Sequence, residues 1–275
     1  MAKPFIKWVG GKTQLLPDLI RLMPASFNNY FEPFIGGGAL YFAIEPKNAV
    51  INDFNPHLSE LYKDVRDNVN DLIQELAVIQ EHYLGSDNHE TRRGFYLEYR
   101  SIYNNLGSSL YKSALFLFLN KTCFNGVYRE NPRGEFNVPF GRNNLKSLFD
   151  EDLLRVASSA LQDTEIASGS YEKPLGMAKA GDLIYLDPPY VPLTKTASFT
   201  KYTSGGFGRE EQIKLRDLFV KLQNRGCQVM LSNSNADEVR DLYKNFKQHE
   251  VLANRAVNCK ATGRGKITEL IITSY

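Results

Sequence analysis

The chain has 275 residues, 43% hydrophobic and 23% charged, an ordinary globular composition with length enough for one large domain or a core carrying an insertion. Lysine and arginine number 33 against 31 acids, which excludes binding to nucleic acid through overall positive charge alone. Three scattered cysteines (Cys123, Cys227, Cys259) argue against a disulfide framework and for free thiols in a reducing compartment.

The first segment, Lys7-Trp8-Val9-Gly10-Gly11-Lys12-Thr13, has the tail of a phosphate-binding P-loop but not its start. A P-loop needs a second glycine five residues before Gly11, and that position is Ile6, which cannot take the positive φ required. A helix is expected over Thr13–Leu22. Tyr30-Phe31-Glu32-Pro33-Phe34 then reads as a strand running into Gly36-Gly37-Gly38, and Ala49-Val50-Ile51 as a strand running into Asn52-Asp53.

From residue 57 to about 120 the apolar positions (Leu58, Leu61, Val65; Leu72, Ile73, Leu76, Ile79) keep a helical period, and Leu110–Leu119 is a compact apolar helix. Phe124–Arg142 is rich in Gly, Asn and Pro with interspersed aromatics and arginines, the pattern of a hairpin or exposed loop. Basic residues gather at Lys121, Arg129, Arg133, Arg142 and Lys146, and again at Arg255, Lys260, Arg264 and Lys266. Either run suits phosphate or simply a solvated face.

Beyond the middle, strands are expected at Leu183–Leu186, Gln228–Leu231 and Ile267–Thr273, with helices at Glu210–Gln223 and Asp237–Lys244. Strand–helix alternation at both ends predicts an α/β fold with a mostly parallel sheet and ligands at the carboxyl ends of its strands. The segmentation expected is 1–57 and 151–275 for this α/β domain, with 58–150 as an inserted, mainly helical module. The four histidines make no metal-spaced cluster, so no metal site is expected. No apolar run approaches ~20 residues and no signal-peptide core opens the chain, so a cytoplasmic protein without membrane attachment is expected.

Two motifs carry chemistry. Phe34-Ile35-Gly36-Gly37-Gly38 follows a strand, where glycines admit a cofactor close to the backbone, and Asp53 ends the next strand as an acceptor for ribose hydroxyls. A plain strand-end turn fits the same residues, and so does a nicotinamide cofactor. Asp187-Pro188-Pro189-Tyr190 is sharper. Two prolines fix the exit from the strand, so a carboxylate, a carbonyl and an aromatic face converge where a planar base bearing an exocyclic amine could sit. Adenine and cytosine both present such an amine.

Taken in order, Lys7–Lys12, Phe31–Gly38, Ile51-Asn52-Asp53 and Asp187–Tyr190 resemble the Dam-type DNA adenine-N6 methyltransferases, and Asn120–Arg142 with Ala197–Tyr202 resembles their GATC-methylating branch. The resemblance implies a Rossmann-like methyltransferase sheet using S-adenosyl-L-methionine (SAM), with 58–150 as the DNA-recognition module. It implies double-stranded DNA as partner, and leaves room for a cognate restriction endonuclease acting on the same site. It places Trp8, Gly10, Lys12, Phe34, Gly36, Gly38 and Asp53 at the cofactor, with Lys12 on the carboxylate of its methionine part. Asp187, Pro188 and Tyr190 fall at the catalytic pocket, Asp187 also near the cofactor. Lys7, Asn125, Val127, Arg129, Pro139 and Arg142 fall at DNA, and Phe124 at the opened duplex. Phe124 stands where tyrosine is frequent, and Asn143 where some relatives carry an aromatic. The alternatives are a cytosine-N4 DNA methyltransferase or an adenine methyltransferase of different sequence specificity and, more remotely, a non-catalytic DNA-binding regulator.

Overall fold

The computed structural model describes residues 2–141, 145–192, 207–254 and 266–275, without the side chains of Asn254 and Lys266. Arg142, Asn143, Ala197–Tyr202, Arg255, Cys259, Lys260 and Arg264 lie outside the described residues, as does the side chain of Lys266.

Seven strands form one sheet: β1 (Tyr30–Glu32), β2 (Ala49–Asp53), β3 (Thr164–Ser168), β4 (Leu183–Leu186), β5 (Gln228–Ser234), β6 (Lys247–Asn254) and β7 (Lys266–Thr273), in the order β3-β2-β1-β4-β5-β7-β6. β1 runs parallel to β2 and to β4, and β4 parallel to β5. β7 reverses, pairing antiparallel with both β5 and β6. The mixed α/β architecture is thus the Rossmann-like sheet expected. Its strand order turns back between β1 and β4, and in open α/β sheets ligands bind outside the carboxyl ends of strands at such a point. The loops leaving β1 and β4 begin the glycine triplet and the Asp187–Tyr190 turn.

The expected strands and helices are present, with ends shifted for local reasons. β1 stops at Glu32 because Pro33 has no N–H to give the ladder. The first helix, α1 (Leu16–Leu22), begins three residues late with Pro17 in its first turn. Two strands lack a sequence expectation, β3 and β6, and these are the two edges of the sheet. β6 opens on Lys247-Gln248-His249-Glu250, which offers no apolar run to read, and β3 places Thr164 and Glu165 ahead of Ile166.

Packing divides the chain into two compact units. The second (Lys12–Ile35, Pro46–Asn52, Ser170–Tyr275) has a core on the sheet built from Phe31, Ile184, Leu186, Val229, Leu231, Leu270 and Ile272, with Leu215, Phe219 and Leu222 of a helix over Arg209–Asn224.

The first unit (Met1–Gly11, Gly36–Glu45, Asp53–Gly169) contains the whole of 58–150. Its frame is α3 (Pro56–Asp67), α4 (Val69–Leu84), α5 (His89–Asn105) and α6 (Leu110–Thr122). Asn55, Asn88 and Ser109 cap α3, α5 and α6 by accepting first-turn N–H groups. In α6, Ala114 to Asn120 are all buried. Such a helix has no solvent stripe and must be surrounded, as it is by α3, α4 and α5. Tyr83, Tyr99 and Tyr103 meet Phe118 or Phe116 at centroid distances of 5.1–6.1 Å, and each fully buried large apolar side chain contributes about 1.5–3 kcal/mol.

Candidate active site and nucleic-acid face

The second unit holds an ion pair at the end of β4. Lys12 Nζ lies 2.7 Å from Asp187 Oδ2, and both side chains are largely covered. The same ammonium stands 4.7 Å from the centroid of the Tyr190 ring. Tyr190 donates its hydroxyl to Glu269 Oε2 on β7 at 2.8 Å. Burial is the main cause that pushes the Asp187 carboxyl up to about 6; Lys12 opposes the shift, and Glu269 adds to it. Burial, then the neighbouring carboxylates, also hold the Tyr190 phenol well above its ordinary value. The other carboxylate oxygen, Asp187 Oδ1, is buried and has no hydrogen-bond partner among the described residues. A buried acceptor left unpaired is costly unless a donor arrives.

The turn itself is fixed from behind. Gln212 Nε2 donates to the Pro189 carbonyl (2.9 Å), Asn233 Oδ1 accepts from Val191 N–H (3.2 Å), and Ser234 Oγ donates to the Val191 carbonyl (2.7 Å). Asn233 Nδ2 in turn donates to Gln212 Oε1 at 3.2 Å. Phe34 packs on Tyr171 and Phe207 at 5.1 and 5.9 Å, so its ring supports the fold as well as lying beside the glycine triplet in sequence.

The glycine loop belongs to the first unit, and its shape is set by two aromatics. Gly36 has φ +48, and a Cβ there would meet Trp8 Cδ1 at 2.8 Å. Gly38 has φ +71, and a Cβ there would meet the Tyr62 hydroxyl at 2.8 Å. Tyr62 also donates to the Gly36 carbonyl (3.1 Å). The glycines are therefore required by packing beneath the loop, whatever approaches above it. Asp53 closes the loop: Oδ2 accepts from Gly36 N–H (3.1 Å) and Oδ1 from Asn55 N–H (2.9 Å). Burial pushes this carboxyl up to about 6, with the backbone donors Asn55, Gly36 and Phe54 opposing. Phe54, the next residue, is 58% exposed. Gly10 lies in an exposed turn at φ +85, and Trp8 is half-buried and stacked on Tyr128 at 5.8 Å.

The expected hairpin follows α6 in the same unit. Cys123 pairs with Phe140 and Glu130 with Phe136 as antiparallel bridges, and Asn131 closes the turn by accepting from Arg133 and Glu135 N–H. Helix α5 anchors the returning strand through Tyr96 Oη and Arg100 to the Val138 carbonyl and through Asn104 to Phe136. At the hairpin base, Phe124–Gly126 forms a single 3₁₀ turn with Asn125 at φ +58. Phe124 is 55% exposed, and Lys7, Asn125, Arg129 and Pro139 are also exposed, with Val127 half-buried. Arg129 is held in a defined pose: Nε donates to Asn137 Oδ1 (2.7 Å) and Nη2 to the Asn137 carbonyl (3.2 Å).

The sequence reading does not single out Tyr62, Tyr128, Phe54 or Glu269. Tyr62 and Glu269 are brought to these clusters by tertiary structure and carry no local motif; Phe54 follows Asp53 in the chain and Tyr128 lies within Asn120–Arg142. Among the described residues no three His, Cys, Asp or Glu side chains gather as a metal would need, and no helix is long and apolar enough to cross a membrane.

A strand-end Asp-Pro-Pro-Tyr with a buried, unpaired carboxylate oxygen, on a sheet of this order, defines the class. Residues 8–257 match the D12 class N6 adenine-specific DNA methyltransferases, and the chain belongs to that family. It is 42% identical to the Type II methyltransferase M1.LlaDCHI of Lactococcus lactis subsp. cremoris, across 99% of this chain and 95% of the relative. It is also 42% identical to the Type II methyltransferase M.MjaIII of Methanocaldococcus jannaschii, across 99% of each. The DNA adenine methylase of Escherichia coli K12 is 32% identical across 98% of this chain and 94% of its own length. The protein is therefore an enzyme, an adenine-specific DNA methyltransferase. Cytosine-N4 methylation, nicotinamide chemistry and a non-catalytic regulator are set aside by that membership, which also implies SAM as the methyl donor.

Proposed function

We propose that the protein methylates N6 of adenine within double-stranded GATC, with the adenine turned out of the helix toward Asp187–Tyr190. The observation that carries transfer to an exocyclic amine is the buried Asp187 Oδ1, an acceptor without a donor that N6 would satisfy, while GATC rests on the resemblance of Asn120–Arg142 and on Arg129. A base inside the duplex cannot bring N6 to such a group, so it must leave the stack. SAM, when bound, supplies an electrophilic methyl group on a sulfonium.

The rest is done by the chain. The N6 lone pair is delocalised into the ring. An N6–H···Oδ1 bond to Asp187 favours its localisation and stabilises the positive charge that grows on nitrogen during attack. The Tyr190 ring, held by Glu269, offers a face to the purine. A carboxyl with a pKa near 6 takes the proton that N6 must lose and returns it to water at neutral pH. No covalent enzyme intermediate is needed, and the rate rests on positioning.

For the cofactor, each unit by itself offers groups of suitable chemistry. Asp53 is a carboxylate at the loop's edge for ribose hydroxyls, and exposed Phe54 offers a face for the adenine. Lys12 would meet the methionine carboxylate while engaged by Asp187. In the hairpin, Arg129 keeps its Nη1–Nη2 edge for guanine O6 and N7 while Asn137 takes the other. Lys7, Asn125, Val127 and Pro139 contact the remaining bases, and Phe124 fills the space the adenine leaves. This assigns residues 58–150, joined by Lys7, to DNA recognition and the rest to catalysis. Two Type II methyltransferases among the relatives support a role beside a restriction endonuclease, in the cytoplasm.

The test is to methylate plasmid DNA with labelled SAM and map the modified base and its context. Label on adenine in GATC is expected, and modification spread over other sequences would refute the specificity. Asp187→Ala is expected to abolish transfer while DNA binding survives; near-normal turnover would remove Asp187 from its role.

A further inference from the structure

Between the N-terminal segment and the hairpin base lies one buried amide. Asn120, in the last turn of α6, accepts from Lys7 N–H through Oδ1 (3.2 Å) and donates through Nδ2 to the Lys7 carbonyl (2.8 Å). The same Nδ2 donates to the Gly126 carbonyl (3.2 Å). The first two bonds occupy both backbone groups of Lys7, as a neighbouring strand would. The third ties that residue to the turn carrying Phe124 and Asn125. The stem of Lys7 lies against the same turn, since a Cβ on Gly126 would meet Lys7 Cδ at 2.7 Å. Asn120 is 7% exposed and would touch no DNA.

We propose that Asn120 is a positioning residue for sequence discrimination, fixing Lys7 in register with Phe124–Gly126 so that both meet the duplex as one rigid reader. The proposal rests on the reading that Lys7 contacts a base. The amide geometry is selective, because the site asks for one acceptor and two donors at fixed points. Alanine supplies none of these and aspartate only the acceptor. Base contacts demand placement within a fraction of an ångström, whereas phosphate contacts tolerate sliding. Loosening Lys7 should therefore weaken discrimination more than general DNA binding.

The experiment compares wild type, Lys7→Ala, Asn120→Asp, Asn120→Ala and the Lys7→Ala/Asn120→Ala double variant. For each, kcat/KM is measured on a GATC duplex and on duplexes with one base pair changed, from a single preparation. The ratio then cancels any unfolded fraction. Asn120→Asp and Asn120→Ala are expected to lower the ratio about tenfold, with the double variant no worse than Lys7→Ala alone, the non-additivity of residues acting through one contact. An unchanged ratio in both Asn120 variants, or equal losses on all duplexes, overturns the proposal. If Lys7→Ala itself leaves the ratio unchanged, the reading of Lys7 as a base contact fails instead, and the inference with it.

Discussion

Lys12 and Asp187, 175 positions apart in the chain, form a covered ion pair at 2.7 Å. The pair is embedded with a second carboxylate, Glu269, which reaches the same cluster through the Tyr190 hydroxyl. Lys12 and Glu269 therefore act on Asp187 with opposite sign.

That opposition yields a paired prediction. Wild-type methyl transfer should fall as pH drops through about 6, where Asp187 takes up a proton. Lys12→Met removes the charge that favours the carboxylate, so the acidic limb of kcat should move to higher pH. Glu269→Gln keeps an acceptor for Tyr190 but removes the charge that disfavours it, so the limb should move to lower pH. The pH profiles of the three enzymes check this, and shifts in the same direction would contradict it.

Gly36→Ala tests the loop. Its Cβ would fall 2.8 Å from Trp8 Cδ1 at φ +48, and strain of this kind amounts to about 1–3 kcal/mol. SAM affinity measured by calorimetry should weaken roughly 5- to 150-fold through that strain, with secondary structure retained.

Asp53 gives a stability signature. Its folded pKa is raised from 3.8 to about 6, so between those values the native state binds more protons than the unfolded one and stability declines as pH rises. Asn at this position cannot ionise. The unfolding free energy of Asp53→Asn minus that of wild type, from denaturant titrations, should rise across that window and then level off, a gain of about 1–2 kcal/mol after allowing for solvent screening. A pH-independent offset, from the loss of one acceptor for Gly36 or Asn55, is superimposed. A difference that falls with pH would contradict the shift.

Arg129 and Lys121 separate reading from holding. Arg129→Ala should cost about 1–3 kcal/mol of discrimination at one base pair. Lys121→Ala should weaken binding alike on all sequences and reduce the salt slope by about 1. Filter binding across a salt series, with matched and altered duplexes, distinguishes them.

Much of this was legible before the fold. Asp187–Tyr190 stood out because a rigid double proline following an apolar run can only be a strand exit, and the hairpin because its turn residues cluster. The edge strands were hidden because neither opens on an apolar run: β6 begins with four polar residues and β3 with Thr164 and Glu165. The Lys12–Asp187 pair and the Tyr190–Glu269 bond were hidden because no local pattern encodes a partner 175 or 79 positions away. The glycine triplet, by its place after a strand, points only to a ligand face; Trp8 and Tyr62 fill the space beneath it. Asn120 opens the Asn120–Arg142 segment as a residue without a role of its own, and only its three partners give it one.

Trp8 is the single tryptophan of the chain. It lies against Gly36 on one side and is stacked on Tyr128 on the other. Excited at the red edge of its absorption, the protein emits from this indole alone. Its fluorescence is a built-in, label-free reporter of the glycine loop, and a stopped-flow mixer can test whether SAM perturbs it without any engineered dye.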